Sequence, residues 1–211
     1  FKQKTAYEIR NCDWSSDVCS SDLVQALGGR YLEAPVLGSR PEALAGTLQL
    51  MAGGPAELVQ EAMPLLQALS TEPRHLGPVG SAMAAKLALN QLIASLTHAF
   101  SLSLHLVQQS GVAVPAFMEL LRGSALYAPT FDKKLERELS GNYSNPNFPT
   151  AHLRKDLGLF ITAAQQAGLN AEGLEGLLQL LQRSEHTPLD QQDYCALHAL
   201  TAGRSAAAAP D

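Results

Sequence analysis

The sequence predicts a mainly α-helical protein, in which a small α/β part ending near residue 77 precedes an all-helical domain. Apolar residues make up 46% of the 211 residues and aromatic residues only 6%, a composition typical of a packed chain rather than a disordered one. The stretch 82–107 is long and apolar, as expected of a buried helix. Two short runs before residue 54 have the character of strands, with Gly or Pro at their ends.

The elements are predicted in the following order. Strands are expected at 31–36 and 47–52, followed by a helix at 55–69 that carries Pro in its first turn. A short strand at 74–77 leads into a long helix at 81–109. The Ser-Gly pair that follows is expected to end this helix. Shorter helices are expected at 115–122, 130–139, 150–168, 171–184 and 191–202, with an Asn- and Pro-rich loop at 141–149.

Composition and charge exclude several classes of function. The formal net charge is -5 and the basic residues are scattered, so no nucleic-acid partner is expected. Polar residues such as Lys86 and Asn90 interrupt the apolar stretch, so no membrane partner is expected either. The three cysteines have no disulfide or metal spacing and the six histidines are widely spread, which predicts a cytoplasmic protein without a bound metal.

The first residues differ from the rest of the chain. The segments "KQKTAYEI" and "DWSSDVCSSDL" resemble in-frame translations of the adapter oligonucleotides used to prepare sequencing libraries. We therefore expect residues 1–23 to be an artefact without a native fold, attached to a gene that has lost its start. The remaining expected domains are 24–77, the end of an α/β domain, and 78–202, the helical domain. A flexible tail at 203–211 completes the prediction.

Lys86 and Asn90 are the first candidates for chemistry. They are four residues apart on the long predicted helix, so they share one face of it. Because an ammonium group is costly to bury without partners, Lys86 at this position suits a polar cleft, where it could pass a proton to a reacting oxygen. Alternatively, Lys86 extends its ammonium group from the first turns of the helix to the surface.

Two further stretches offer candidate binding groups. In "EAPVLGS", Gly38 and Ser39 follow a predicted strand and offer backbone N–H groups and a hydroxyl, which suit a carboxylate. An ordinary tight turn explains the same pattern. In "FPTAHLRKDLGLF", Lys155 and Asp156 lie within an amphipathic helix, where such a pair also fits a solvated face.

Taken in order, the motifs resemble the β-hydroxyacid dehydrogenases. The similar stretches are "YLEAPVLGS", "AGTLQLMAGG", "GPVGSAMAAKLALNQL", "GNYSNPNFPTAHLRKDLGLF" and "QDYCALHAL". The glyoxylate/succinic semialdehyde reductase branch is the most similar. The resemblance implies a Rossmann domain, here reduced to its last strands, then a long helix and an all-α dehydrogenase domain that forms homodimers or homotetramers. It also implies an NADP or NAD cofactor and a small aldehyde acid or hydroxy acid as substrate.

The same resemblance implies a role for each matching residue. Lys86 matches the catalytic lysine. The substrate-binding positions are matched by Gly38, Ser39, Asn90 and Phe148. Lys155 matches a lysine near the nicotinamide, and Asp156 matches its structural companion.

One position departs from the family pattern. Leu37 stands where the family usually has Ser, so a hydroxyl donor to the substrate carboxylate is replaced by an apolar side chain. Two consequences are open: weaker binding of a simple hydroxy acid, or a preference for a bulkier or less polar substrate. A second function is also open, because the fold serves as a non-catalytic oligomerisation module in members that lack the lysine.

Overall fold

The computed structural model describes residues 21–202 apart from 22 and 25. The adapter-like segment, except Ser21 and Leu23, and the predicted tail lie outside the described residues. The chain divides into two compact units, Phe1–Ala88 and Leu89–Asp211, and each is described by itself. The mainly α fold class is confirmed, whereas the predicted domain limits stay a prediction.

The first unit contains a three-stranded sheet of order β1-β2-β3. Strands β1 (Val36–Leu37) and β2 (Gln49–Gly53) are antiparallel, and β3 (Arg74–Gly77) is parallel to β2. Helix α1 (Arg40–Leu44) joins β1 to β2, and α2 (Ala56–Leu69) joins β2 to β3. The buried core between sheet and helix consists of Leu50, Ala52, Val59 and Leu66.

Two predictions for this unit need correction. The strand expected at 31–36 is wrong except at its last residue, because Pro35 has no N–H to donate to a ladder. Before it, only an isolated bridge joins Glu33 to Gly53 among the described residues. Helix α1 was not predicted at all. The strand at 74–77 is found as predicted.

Helix α3 (Ser81–Gln109) has the bounds that the sequence predicts. It is the one described helix that is long and apolar enough to cross a membrane, judged by length and composition alone. That is weak evidence, since a core helix meets the same criterion and 39% of its most apolar window is buried. Helix α3 begins in the first unit and ends in the second.

The second unit continues with α4 (Val114–Arg122), α5 (Pro129–Ser140), α6 (Thr150–Gln166), α7 (Glu172–Gln182) and α8 (Leu197–Thr201). One apolar cluster includes Leu153, Leu157 and Leu181, and another is built around the stacked rings of Phe100 and Phe131, whose centroids are 4.6 Å apart. Helices α4 to α7 match their predicted positions within a few residues.

The single helix predicted at 191–202 is wrong. Two 3-10 turns, Pro188–Gln191 and Tyr194–Ala196, precede α8. Between them, the fully buried Asp193 accepts a hydrogen bond from the Cys195 N–H and two from Lys134 Nζ, at 2.7 and 2.9 Å. Asp193 thus caps the second turn, and its backbone N–H donates to the Tyr143 carbonyl instead of continuing a helix.

Candidate active site

The predicted carboxylate-binding loop, Gly38 and Ser39, lies between β1 and α1. Gly38 has a φ of 135°, which residues with a Cβ rarely adopt. Ser39 is half-buried, and its backbone N–H and hydroxyl both donate to Oε2 of Glu42, at 2.8 and 2.7 Å. A carboxylate of the chain itself therefore uses the donors that the sequence assigned to a substrate carboxylate.

The contact between Ser39 and Glu42 had a signal in the sequence. Ser followed three residues later by Glu is the pattern of a helix N-terminus, and Pro41 between them suits the first turn of a helix. The same pattern would have predicted α1, which the strand-and-loop interpretation missed.

Lys86 lies half-buried in the second turn of α3. The start of this helix is contacted by Glu33, a buried carboxylate that the sequence analysis did not select. The one feature of the sequence that pointed to Glu33 is its position as an acidic residue within the apolar run "YLEAPV". That Lys86 faces Ser39 and Lys155 across a cleft stays a prediction.

Asn90 and Asp156, which come from separate motifs, are in direct contact. Asn90 is only 6% exposed, and its Nδ2 donates to Oδ2 of Asp156 at 2.6 Å. Asp156 is itself half-buried on α6. That Asp156 is the structural companion of Lys155 stays a prediction, and the structure shows Asp156 bonded to the side-chain amide of Asn90 on α3. The structure therefore does not place Asp156 on a solvated helix face.

The remaining predicted residues, Lys155 and Phe148, are both half-buried in the second unit. Phe148 packs against the apolar cluster of α6 and α7, and its ring lies 5.9 Å from that of Tyr194, edge to face. Lys155 has no hydrogen bond or ion pair with any residue in the part of the chain that the structure describes.

The second unit also buries a group of titratable side chains that the sequence did not single out. Nδ1 of His198 and Oε2 of Glu138 are 3.8 Å apart, beyond hydrogen-bond length, and neither atom has a hydrogen-bond partner. Burial raises the pKa of Glu138 to about 8, although Lys134 opposes the shift. Burial, reinforced by the neighbouring His105, lowers the pKa of His198 to about 4. Both shifts favour the neutral form of the side chain, and the two atoms form no hydrogen bond with each other.

No group of His, Cys, Asp or Glu among the described residues could hold a metal ion. A shallow cavity of about 530 Å³ in the first unit is lined by Gly54, His75 and Gly77, with Pro55, Ala56, Pro78 and Val79. None of these residues was predicted to bind substrate or cofactor.

Two family models match the chain. The model described as the NAD-binding of NADP-dependent 3-hydroxyisobutyrate dehydrogenase matches residues 80–201, and that of the NAD binding domain of 6-phosphogluconate dehydrogenase matches residues 8–82. Both descriptions concern nicotinamide-dependent oxidoreductases. The first match spans more than half of the chain, and the chain belongs to the β-hydroxyacid dehydrogenase family, as its motifs predicted.

Individual proteins agree with this assignment. The chain is 26% identical over 190 residues to glyoxylate/succinic semialdehyde reductase 1 of Arabidopsis thaliana, covering 90% of this chain and 65% of that protein. It is 27% identical over 199 residues to the chloroplastic reductase 2 of the same plant, covering 94% of this chain and 55% of that protein. The chain thus spans 55–65% of the length of these relatives.

A solved structure, 3-hydroxyisobutyrate dehydrogenase of Mycobacterium tuberculosis, has the same fold. Its TM-score with this chain is 0.79 at 22% identity, covering 90% of this chain and 67% of that one.

Proposed function

We propose that this sequence comes from a reductase that transfers hydride between NADP or NAD and a small aldehyde acid or hydroxy acid. Glyoxylate, succinic semialdehyde and 3-hydroxyisobutyrate are the proposed substrate types. The hydrogen bond between Asn90 and Asp156 carries the proposal, because it joins two motifs that were selected separately. The activity is proposed for a longer protein, since the 211 residues contain no G-x-G-x-x-G turn for a pyrophosphate.

The residues present fit the nicotinamide end of a cofactor. When bound, this group supplies or accepts the hydride. Lys155 suits a position beside it, because a half-buried cation without an ion pair among the described residues favours a polar or anionic neighbour.

Lys86 is proposed as the general acid. In the reduction its ammonium group donates a proton to the carbonyl oxygen of the substrate, and in the oxidation the neutral amine takes the proton back. Its half-buried position reduces competition from water for the same oxygen. Lysine suits this role because partial burial readily changes its proton affinity.

Asn90 is proposed to orient the substrate. One N–H of its amide is committed to Asp156, which fixes the plane of the amide. The carbonyl oxygen and the second N–H remain for a substrate hydroxyl or carbonyl group. Asp156 is thus a positioning residue for Asn90, and Phe148 is proposed to supply an apolar wall beside the substrate.

The test compares variants of a longer protein that contains this sequence. We expect NADPH oxidation with glyoxylate or succinic semialdehyde, and a loss of kcat of about 10²–10⁴-fold in Lys86→Ala, with cofactor affinity unchanged. Lys133→Ala, which removes an exposed lysine of α5, is the matched control. Equal turnover in the two variants would refute the catalytic role of Lys86. An absence of turnover in the wild-type protein would favour a non-catalytic oligomerisation module.

The 211-residue chain alone provides a second test. Because it has no phosphate-binding turn, we expect no measurable dinucleotide binding by calorimetry. A micromolar dissociation constant would contradict this expectation. We further propose that the whole protein is a homodimer or homotetramer, which light scattering after size-exclusion chromatography measures.

A further inference from the structure

The carboxylate of Glu33 is buried at the start of the helix that carries Lys86. Glu33 is 7% exposed and lies in an apolar segment. Its Oε1 accepts a hydrogen bond from the Gly80 N–H at 2.8 Å, and its Oε2 accepts one from the Met83 N–H at 3.3 Å. Gly80 directly precedes α3, and Met83 is the third residue of the helix.

These two N–H groups need a partner from outside the helix. The first N–H groups of a helix have no intrahelical acceptor, and a negative charge near them is favourable. Helix α3 has no acidic residue in its own first turn. Glu33 supplies the missing carboxylate from 47 to 50 residues away in sequence.

The surroundings of Glu33 hold the carboxylate in one place. The backbone of Glu33 exchanges two hydrogen bonds with that of Gly53, at 2.7 and 3.0 Å. A Cβ on Gly53 would lie 2.5 Å from Oε2 of Glu33 and 3.1 Å from the Cβ of the buried Ala82. Glycine at position 53 is therefore what lets the carboxylate reach the helix.

We propose that Glu33 is a positioning residue that fixes Lys86 relative to the loop of Gly38 and Ser39. Five residues after Glu33 the chain enters this loop, and three residues after Met83 it reaches Lys86. One carboxylate thus ties the two predicted parts of the site in the first unit together. The inference rests on the proposed function for its catalytic consequence, although Glu33 itself contacts no reacting atom.

The first experiment uses the 211-residue chain with Glu33→Ala and Glu33→Gln. Glu61→Gln is the control, because Glu61 is exposed in the same unit and, among the described residues, pairs only with the exposed Arg30. We expect faster amide exchange at Gly80 and Met83 and a shifted ¹³Cε resonance of Lys86 in Glu33→Ala, with smaller changes in Glu33→Gln, which keeps one acceptor. No change in Glu61→Gln is expected.

The second experiment measures kcat and KM in a longer protein that contains this sequence. A misplacement of about 1 Å costs up to about 100-fold in rate, so we expect a loss of kcat of about 10–100-fold in Glu33→Ala, with the KM for cofactor unchanged. Glu33→Gln should recover part of the loss, and it replaces Glu33→Ala should that variant fail to fold.

The outcomes separate the two proposals. Faster exchange with unchanged kcat would overturn the positioning role and leave Glu33 as a helix cap. An unchanged Lys86 resonance would overturn it as well. An inactive wild-type protein would refute the proposed function, and the Lys86 resonance in the 211-residue chain would still decide whether Glu33 positions this side chain.

Discussion

The two compact units satisfy their buried charges in different ways. In the first unit, the carboxylate of Glu33 is held by backbone N–H groups of α3. In the second unit, the buried Asp193 is held by the cation of Lys134 together with the Cys195 N–H, and the half-buried Asp190 by the cation of Arg154. The apolar cores differ too, with four buried residues in the cluster of the first unit and nine in one cluster of the second.

This difference shows what each type of contact achieves. A carboxylate bound to backbone groups fixes the path of the chain and the start of a helix, and it does not depend on a particular partner side chain. A carboxylate bound to a cation ties two elements together, and it depends on both side chains. We therefore expect the second unit to be more sensitive to loss of a single charge.

The largest effect is expected from Asp193→Ala. It leaves the ammonium group of Lys134, whose side chain is only 14% exposed, without its carboxylate, and breaking a buried pair from one side costs about 3–5 kcal/mol. Urea unfolding followed by circular dichroism measures the loss. Asp132→Ala, which breaks the exposed pair with Arg122, is the control and should leave stability near that of the wild type. Equal effects of the two would mean that the buried pair of Lys134 and Asp193 stabilises the second unit no more than an exposed pair does.

The apolar cores provide the second prediction. Leu153 and Leu50 are both almost fully buried, in the second and first unit respectively, and replacing either with Ala should cost about 2–5 kcal/mol. Hydrogen exchange followed by mass spectrometry should show lost protection mainly in the unit that carries the change. Loss of protection throughout both units in either variant would mean that the chain unfolds as one cooperative body.

The third prediction concerns pH. Because the pKa of Glu138 is raised from 4.5 to about 8 in the fold, the folded state keeps a proton that the unfolded state releases, and stability falls as pH rises between these values. The lowered pKa of His198, from 6.5 to about 4, has the opposite effect between pH 4 and 6.5. Above pH 6.5 the effect of Glu138 alone remains, at up to about 1.4 kcal/mol per pH unit.

Glu138→Gln should therefore gain stability relative to the wild type between pH 6.5 and 8, as measured by urea unfolding at several pH values. The exposed Glu136 provides the control variant Glu136→Gln, which should follow the wild type. A constant difference between Glu138→Gln and the wild type across this range would show that the carboxyl group titrates normally.

The smallest effect is expected from Glu42→Ala. Loss of the contact with Ser39 should cost about 1 kcal/mol of stability, typical of a helix cap. The substitution also leaves the backbone N–H and the hydroxyl of Ser39 without their acceptor, so both can bind the substrate carboxylate. A hydrogen bond to such a charged group contributes about 1.5–3 kcal/mol. In a longer protein that contains this sequence, the KM for glyoxylate should then fall by about tenfold. The exposed Glu57 provides the control Glu57→Ala, and an unchanged KM would mean that Ser39 does not bind the carboxylate.

The sequence by itself determined the local features of this protein. The bounds of α3, the strand at 74–77 and the order of most helices follow from apolar periodicity and from Gly and Pro, which act over a few residues. The family also followed from motifs that lie along the chain. These features depend on neighbours in sequence, so they can be read without knowing the fold.

Tertiary structure alone decided which distant groups meet. Asn90 bonds to Asp156 across 66 residues, and Glu33 bonds to Met83 across 50. Asp193 interrupts the helix predicted at 191–202, because its carboxylate accepts hydrogen bonds from both Lys134 and the Cys195 N–H. The physical reason is that a buried polar group must find a partner wherever the chain places one, and periodicity contains no information about that partner.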